Sequence, residues 1–229
     1  MQSVQESAGI PLALGYRPGQ SREEREERLR EFKAASDRGA AARSGVAAAI
    51  SQACYTFNAV GIELGYRYEG GAVVPGDGSY APSPDPDLAY VPQTAVGCAL
   101  PHAVITDPAG GQQSTIDLVA GGAFHLLTGP GGEAWSAVCD EIAHRTGLDI
   151  RVIGIGPGCP FGDPYGEWQR IRGISDAGAV LVRPDGHVAW RADTAGEEQL
   201  QALRTAIAGL LGHDAARTVP EDRLETVAR

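Results

Sequence analysis

Four cysteines are the residues with the most obvious chemistry to offer, at positions 54, 98, 139 and 159, with no CxxC pair among them. Thiol redox chemistry needs a thiolate, and a helix N-terminus at a strand-to-helix turn supplies one by lowering the thiol pKa. The turn that would serve here, Gly129-Pro130-Gly131-Gly132, holds no sulfur. Cys139 falls inside a helical apolar pattern beside Val138 and Ile142, where a thiol behaves as a small hydrophobe, and Cys159 lies in a loop with no resolving partner near it. Too few and too scattered for a disulfide framework, the four read as free thiols of a reducing compartment.

The remaining candidates are weaker. The histidines, at 102, 125, 144, 187 and 213, share no metal-ligand spacing with one another or with any cysteine. His102 and Asp117 could pair as acid and base, with Ser114 written in as a nucleophile, but hydrogen bonding in the core or at a hinge accounts for the same residues. Two glycine-rich turns follow strand-like runs. Gly154-Ile155-Gly156-Pro157-Gly158 runs into Cys159-Pro160-Phe161-Gly162 rather than a helix, and Gly129 to Gly132 opens a helix but lacks the lysine of a phosphate loop. Tight turns explain both, and Glu133 would repel an anion from the second.

The elements that would have to hold such groups begin with a capping box, Ser21 and Glu24, opening a helix over Ser21 to Phe32 whose large apolar side chains are Leu29 and Phe32 alone. A second helix is predicted from Ala40 to about Asn58, bracketed by Gly39 and Gly61, with Val46, Ile50, Ala53, Cys54 and Phe57 on one face. Residues 61 to 105 are cut so often by Gly and Pro that short strands in an irregular connector are expected, with Pro82 to Asp87 as a surface loop. From Thr115 the rhythm changes: strand Ala123 to Thr128, helix Glu133 to Arg145 with Trp135, Val138 and Ile142 on one face, and strand Leu148 to Ile155. A short helix from Glu167 to Ile171 follows, then strands Ala179 to Val182 and His187 to Arg191 joined by Pro184-Asp185-Gly186, and a closing helix Glu197 to Leu211 ended by Gly212. The order βαβαββα, with the last strands antiparallel, is that of a thioredoxin-like α/β fold without redox cysteines. It is preceded by a helical arm and the irregular connector.

The segments expected are thus 1-68 as the arm, 69-111 as the connector, 112-212 as the thioredoxin-like domain and 213-229 as a polar tail. With 43% hydrophobic residues and no apolar run of membrane length, the chain reads as globular, not disordered or membrane-spanning. A net charge of -10 argues against a nucleic-acid partner. The first residues, Met1 to Ala8, carry neither a basic nor an apolar leader, so a cytoplasmic address is expected.

Several strings are more specific than composition explains: Phe57-Asn58-Ala59-Val60-Gly61-Ile62-Glu63-Leu64-Gly65-Tyr66-Arg67-Tyr68, then Gly97 to His102, then Ser114 to Leu118 with Leu126 to Gly129, then GAVLVRPDGHVAWR from Gly178 to Arg191. In that order they resemble the C-terminal part of the FAD-dependent aromatic-ring hydroxylases, of the phenol hydroxylase and 2,4-dichlorophenol 6-monooxygenase type, over about Ser3 to Leu211. One departure is that Val96-Gly97-Cys98-Ala99 stands where the family usually reads Pro-Gly-x-Arg, so a charged contact is missing.

The resemblance implies a divided protein, because the family's flavin fingerprint and phenol-covering sheet lie upstream of the part this chain resembles. No GxGxxG opens a helix in the first 40 residues. No catalytic, cofactor or metal residue is therefore carried over. The expectation is a C-terminal module of a flavin-dependent aromatic monooxygenase that is inactive alone and binds no cofactor by itself. FAD and NAD(P)H serve the complete enzyme, and the partner is a separate FAD-domain polypeptide or a second copy in a homodimer. A split subunit, a gene remnant and a late-assigned start all fit that picture. The candidate partner contacts are Phe57, Tyr66, Arg67, Tyr68 and His102. The competing expectation is a stand-alone thioredoxin-like binding or scaffold domain without redox activity.

Overall fold

A computed structural model describes residues 9–70, 73–74 and 78–212, and the polar tail expected over 213-229 lies outside the described residues. The chain divides into two compact units, Met1–Gly65 with Pro82–Val91 and Tyr66–Ala81 with Pro92–Arg229.

The first unit is helical: α1 (Gly9–Ala13), α2 (Arg22–Lys33), α3 (Asp37–Phe57) and α4 (Val60–Gly65). The capping box forms as the spacing predicts, with Ser21 accepting from the Glu24 amide and the Glu24 carboxylate accepting from the Ser21 amide. Helix α3 starts earlier than Ala40, because Ser36 caps it by accepting from the Gly39 amide. Gly39 is a packing residue inside the helix, not a boundary. A Cβ there would lie 2.3 Å from the Ala34 carbonyl oxygen.

The second unit is mixed α/β. A hairpin of β1 (Val104–Thr106) and β2 (Gln112–Ser114) leads into the one-turn helix α5 (Thr115–Leu118). Then follow β3 (Phe124–Thr128), α6 (Glu133–Thr146), β4 (Ile150–Gly154), α7 (Glu167–Arg172), β5 (Ala179–Val182), β6 (Val188–Ala192) and α8 (Glu197–Leu210). The four-stranded sheet runs β4-β3-β5-β6, with β3 and β4 parallel and the other pairs antiparallel. Element order and the direction of the last two strands are as the periodicity predicts, with ends shifted by a few residues.

Alternation along the strands sorts the core into two faces. Leu126, Ala179, Leu181 and Ala189 pack on Trp135, Val138, Ile142, Leu203 and Ile207 of α6 and α8. Leu127, Val180, Val182 and Val188 face the other way, onto Val96, Leu100, Ala103, Ile105, Val119 and Trp168. Central β5 is buried on both sides, which is why it reads as the unbroken apolar run Ala179-Val180-Leu181-Val182. Much of the stretch expected to be an irregular connector therefore builds one wall of the core. Its backbone also covers the outer edge of β6: Gly97 donates to Val188, Val188 to Cys98, Leu100 to Gly186 and Val74 to Ala189. An edge so covered is not free to pair with another chain.

Candidate functional site

The β3-to-α6 turn, where a thioredoxin-like fold would carry its thiol, is filled by an ion pair. Arg172, only 3% exposed, pairs with Asp176, and its guanidinium lies where a Cβ on Gly129 would come within 2.5 Å of Nη1. The Arg172 carbonyl accepts from the Thr94 hydroxyl at 2.6 Å, and the Trp135 indole donates to the Ala177 carbonyl at 2.9 Å, which pins both walls of the turn. Gly132 is equally constrained, since a Cβ would meet the Thr128 side chain at 2.1 Å. With the Arg172 guanidinium and the Asp176 backbone against Gly129 and Glu133 in the first turn of α6, this helix start does not fit a dinucleotide pyrophosphate. The Gly156 and Gly158 turn, with φ of +135° and +76°, loops back so that the Gly156 amide donates to the Phe161 carbonyl, and it opens no helix.

All four cysteines are free thiols. Burial pushes the Cys139 thiol up to about 12, and raises those of Cys98 and Cys159 as well, so the environment suppresses the thiolate at each of these positions. Among the described residues no group of three or more His, Cys, Asp or Glu could hold a metal ion. No helix of the described residues is long and apolar enough to cross a membrane.

Ser114, Asp117 and His102 do come together, but as a helix cap. Ser114 Oγ accepts from the Ile116 amide at 3.1 Å and meets His102 Nδ1 at 2.7 Å, while the Asp117 carboxylate accepts from the Ser114 amide at 3.0 Å. Asp117 is thus spent on backbone and is not aligned behind the imidazole, so an acid–base relay is not assembled. The signal was present in the sequence as a second capping box, Ser114 with an acid three residues on.

Around Tyr66, Arg67 and Tyr68 the structure builds an aromatic cluster. The rings of Tyr66 and Tyr68 stand edge to face at 6.0 Å, and each packs on His187, at 5.3 and 4.8 Å. Arg183 lies 5.1 Å from the Tyr68 ring centre, while Arg67 lies 4.5 Å from the Tyr80 ring and pairs with Glu69. The position of this segment is fixed by Gly97, whose φ is +89° and where a Cβ would fall 2.0 Å from the Tyr68 carbonyl oxygen. His187, buried in this cluster with Nε2 lacking a hydrogen-bond partner, is the residue that sequence reasoning passed over as an ordinary strand position. Tyr66 and Tyr68 remain exposed, as does His102, which is held by Ser114, not by the tyrosines. Phe57 belongs to the other unit, at the end of α3, and is 67% exposed.

The family model described as aromatic-ring hydroxylase, C-terminal, matches residues 93–213. The chain is 37% identical over 199 residues to a phenol 2-monooxygenase of Pseudomonas sp. (strain EST1001), covering 86% of this chain and 32% of the relative. It is 33% identical over 218 residues to a 2,4-dichlorophenol 6-monooxygenase of Cupriavidus pinatubonensis, covering 95% of this chain and 36% of the relative. A crystal structure of the flavin-dependent monooxygenase PieE in complex with FAD and substrate superposes with a TM-score of 0.79 at 41% identity, over 92% of this chain and 36% of that one. The chain spans about a third of the length of the curated relatives it matches.

Proposed function

This chain belongs to the aromatic-ring hydroxylase C-terminal family, and from that premise we propose that it is the C-terminal module of a flavin-dependent, phenol-type monooxygenase. The observation that carries the reading is the pairing of coverages: 95% of this chain aligns with only 36% of a dichlorophenol monooxygenase. In the complete enzyme FAD would mediate insertion of one atom of O2 into a phenol ring and release of the other as water, at the expense of NAD(P)H. None of the groups described above fits FAD, so this chain's part is to support the flavin-bearing portion, and alone it should be inactive.

The finer fold assignment is thioredoxin-like, supported by the β4-β3-β5-β6 order and the crossover through α6. In this reading the turn that carries thiols in such folds has been filled by Arg172 and Asp176. Phe57, Tyr66, Arg67, Tyr68 and His102 are assigned to contact with the rest of the enzyme or with a second copy, with Phe57, Tyr66 and Tyr68 offering aromatic surface of the kind interfaces favour. A cytoplasmic setting suits the four free thiols.

A stand-alone binding role has one feature in its favour, a groove of about 620 Å³ whose lining includes Val74, Trp190, Ala206 and Leu210 together with the polar Glu198 and Gln201. The two readings part in one experiment. A chimera in which this full chain replaces the C-terminal region of PieE should retain FAD and hydroxylate the PieE substrate. A chimera that folds without flavin and without hydroxylation, beside an active PieE control, would sink the hydroxylase reading, and aromatic ligand binding by the free chain would then replace it.

A further inference from the structure

The two edges of the four-stranded sheet differ. Backbone at Val74 and from Gly97 to Leu100 closes the β6 edge, whereas β4, at the other edge, pairs with β3 alone among the described strands. A parallel ladder uses alternate residues of a strand. On β4 these are the odd-numbered ones: the Asp149 carbonyl accepts from the Phe124 amide at 3.1 Å, and the Ile155 amide donates to the Thr128 carbonyl at 2.9 Å. Ile150 and Val152 therefore aim their amides and carbonyls away from the sheet, and among the described residues these groups have no backbone partner. The Gly154 carbonyl, next in that row, is taken by the Phe161 amide at 3.3 Å, which ends the open stretch.

The side chains along this edge are also those of a strand that can be paired. Leu148, Ile150 and Val152 lie on the α6 face, half-buried against the core. The opposite face carries Asp149 and Arg151, ion-paired at 3.0 Å with 61% and 55% of their side chains exposed. Edge strands are ordinarily guarded by charges, a proline or a bulge. Here the cation is neutralised by its neighbour, and no proline lies between Gly147 and Gly156.

We propose that β4 is a strand-pairing site whose occupant is β4 of a second copy of this chain, joined antiparallel about a two-fold axis at Ile150. Charge and bonding capacity select that register. Centring the pair on Asp149 or Arg151 sets a charge opposite itself, and centring it on Val152 requires the Gly154 carbonyl that Phe161 already occupies. Centring on Ile150 lets its amide and carbonyl bond to the same groups of the second copy, and lets the Val152 amide reach the second copy's Leu148 carbonyl. It also sets Asp149 of each copy opposite Arg151 of the other, and opposite charges directly across a ladder attract. This surface contains none of Phe57, Tyr66, Arg67, Tyr68 and His102, and its failure would leave the hydroxylase reading untouched.

The test is sedimentation equilibrium and amide hydrogen exchange of the full chain over a concentration series. The mass should rise from 23.9 kDa toward twice that value. The amides of Ile150 and Val152 should exchange about tenfold more slowly in the dimer, while those of Arg151 and Ile153, bonded to β3 in either state, should not change. Arg151→Asp, at an exposed position, should leave the unfolding midpoint close to the parent's and weaken dimerisation about tenfold, since both cross-strand pairs become repulsive. Asp149→Arg combined with Arg151→Asp should restore it. A chain that stays at 23.9 kDa up to about 1 mM would overturn the proposal. So would dimerisation that leaves the Ile150 and Val152 amides unprotected, or that Arg151→Asp does not weaken.

Discussion

The claim that residues near 100 belong to the core, and do not merely pass over it, can be tested at one hydroxyl. Thr115 is fully buried, and its Oγ1 donates to the Pro101 carbonyl at 2.6 Å and accepts from the Ala103 amide at 2.9 Å. Ala103 is itself fully buried and lies between Leu100 and Ile105 in one core cluster. Thr115→Val keeps the side-chain shape and removes both bonds, which orphans a donor and an acceptor where no water enters. Each orphaned group costs roughly 1–3 kcal/mol, so the variant should lose about 2–6 kcal/mol. With a urea dependence of about 3 kcal/mol per molar, suited to the upper end for small proteins, the midpoint should fall by about 0.7–2 M at unchanged slope. Limited proteolysis of the variant should cut first between residues 92 and 111. If Thr115→Val stays within about 0.5 kcal/mol of the parent, a surface-like effect, then Thr115 does not anchor this stretch and the argument for an integral wall fails.

Gly97→Ala forces a Cβ to within 2.0 Å of the Tyr68 carbonyl at a φ of +89°, so it should destabilise by about 2 kcal/mol or more and change the tyrosine fluorescence of the Tyr66–Tyr68 cluster; an unchanged spectrum and midpoint would contradict the geometry. Cys139, at about 12 against an ordinary 9.0, should resist a disulfide exchange reagent at pH 8 until the chain unfolds. Because its folded value is the higher one, the stability carried by the protonated thiol is whole below pH 9 and is lost as pH rises from 9 toward 12, and Cys139→Ala should reduce the difference between urea midpoints measured at pH 8 and 10, Cys98 and Cys159 carrying the remainder. Burial holds His125 below its ordinary 6.5, so the neutral ring's contribution is present above pH 6.5 and lost as pH falls through 6.5 toward the folded value. His125→Leu should therefore narrow the difference between midpoints at pH 5 and pH 7.5, and an unchanged difference would exclude His125 as its source.

What the sequence made legible were the features carried by local signals. The capping box at Ser21, the Trp135-Val138-Ile142 face of α6 and the turn through Gly186, with φ of +80°, each need only a few neighbouring residues to specify them. The wall from Val96 to Ile105 was illegible for the opposite reason. Its core residues follow no sustained period of 2 or 3.6, and its backbone bonds go to Gly186 and Val188, some 90 residues away, with further isolated bridges from Ala99 to His187 and from Cys98 to Arg67. The Ser114 and Asp117 pair shows a third case, in which one spacing supports two chemistries and only the bond from the Ser114 amide to Asp117 decides for a cap over a relay.

The α3 face shows the limit of periodicity most sharply. A three- and four-residue rhythm reports that one side of a helix is apolar, and it is silent on what lies against that side. In α6 and α8 the same rhythm leads to burial against the sheet, because β3, β5 and β6 are present to receive it. In α3 it ends at Ile50 and Phe57 in the open, beside a run from Ser44 to Ile62 that never acquires a charge. Periodicity thus specifies that a face is apolar, while the elements packed against it among the described residues decide whether that face is buried.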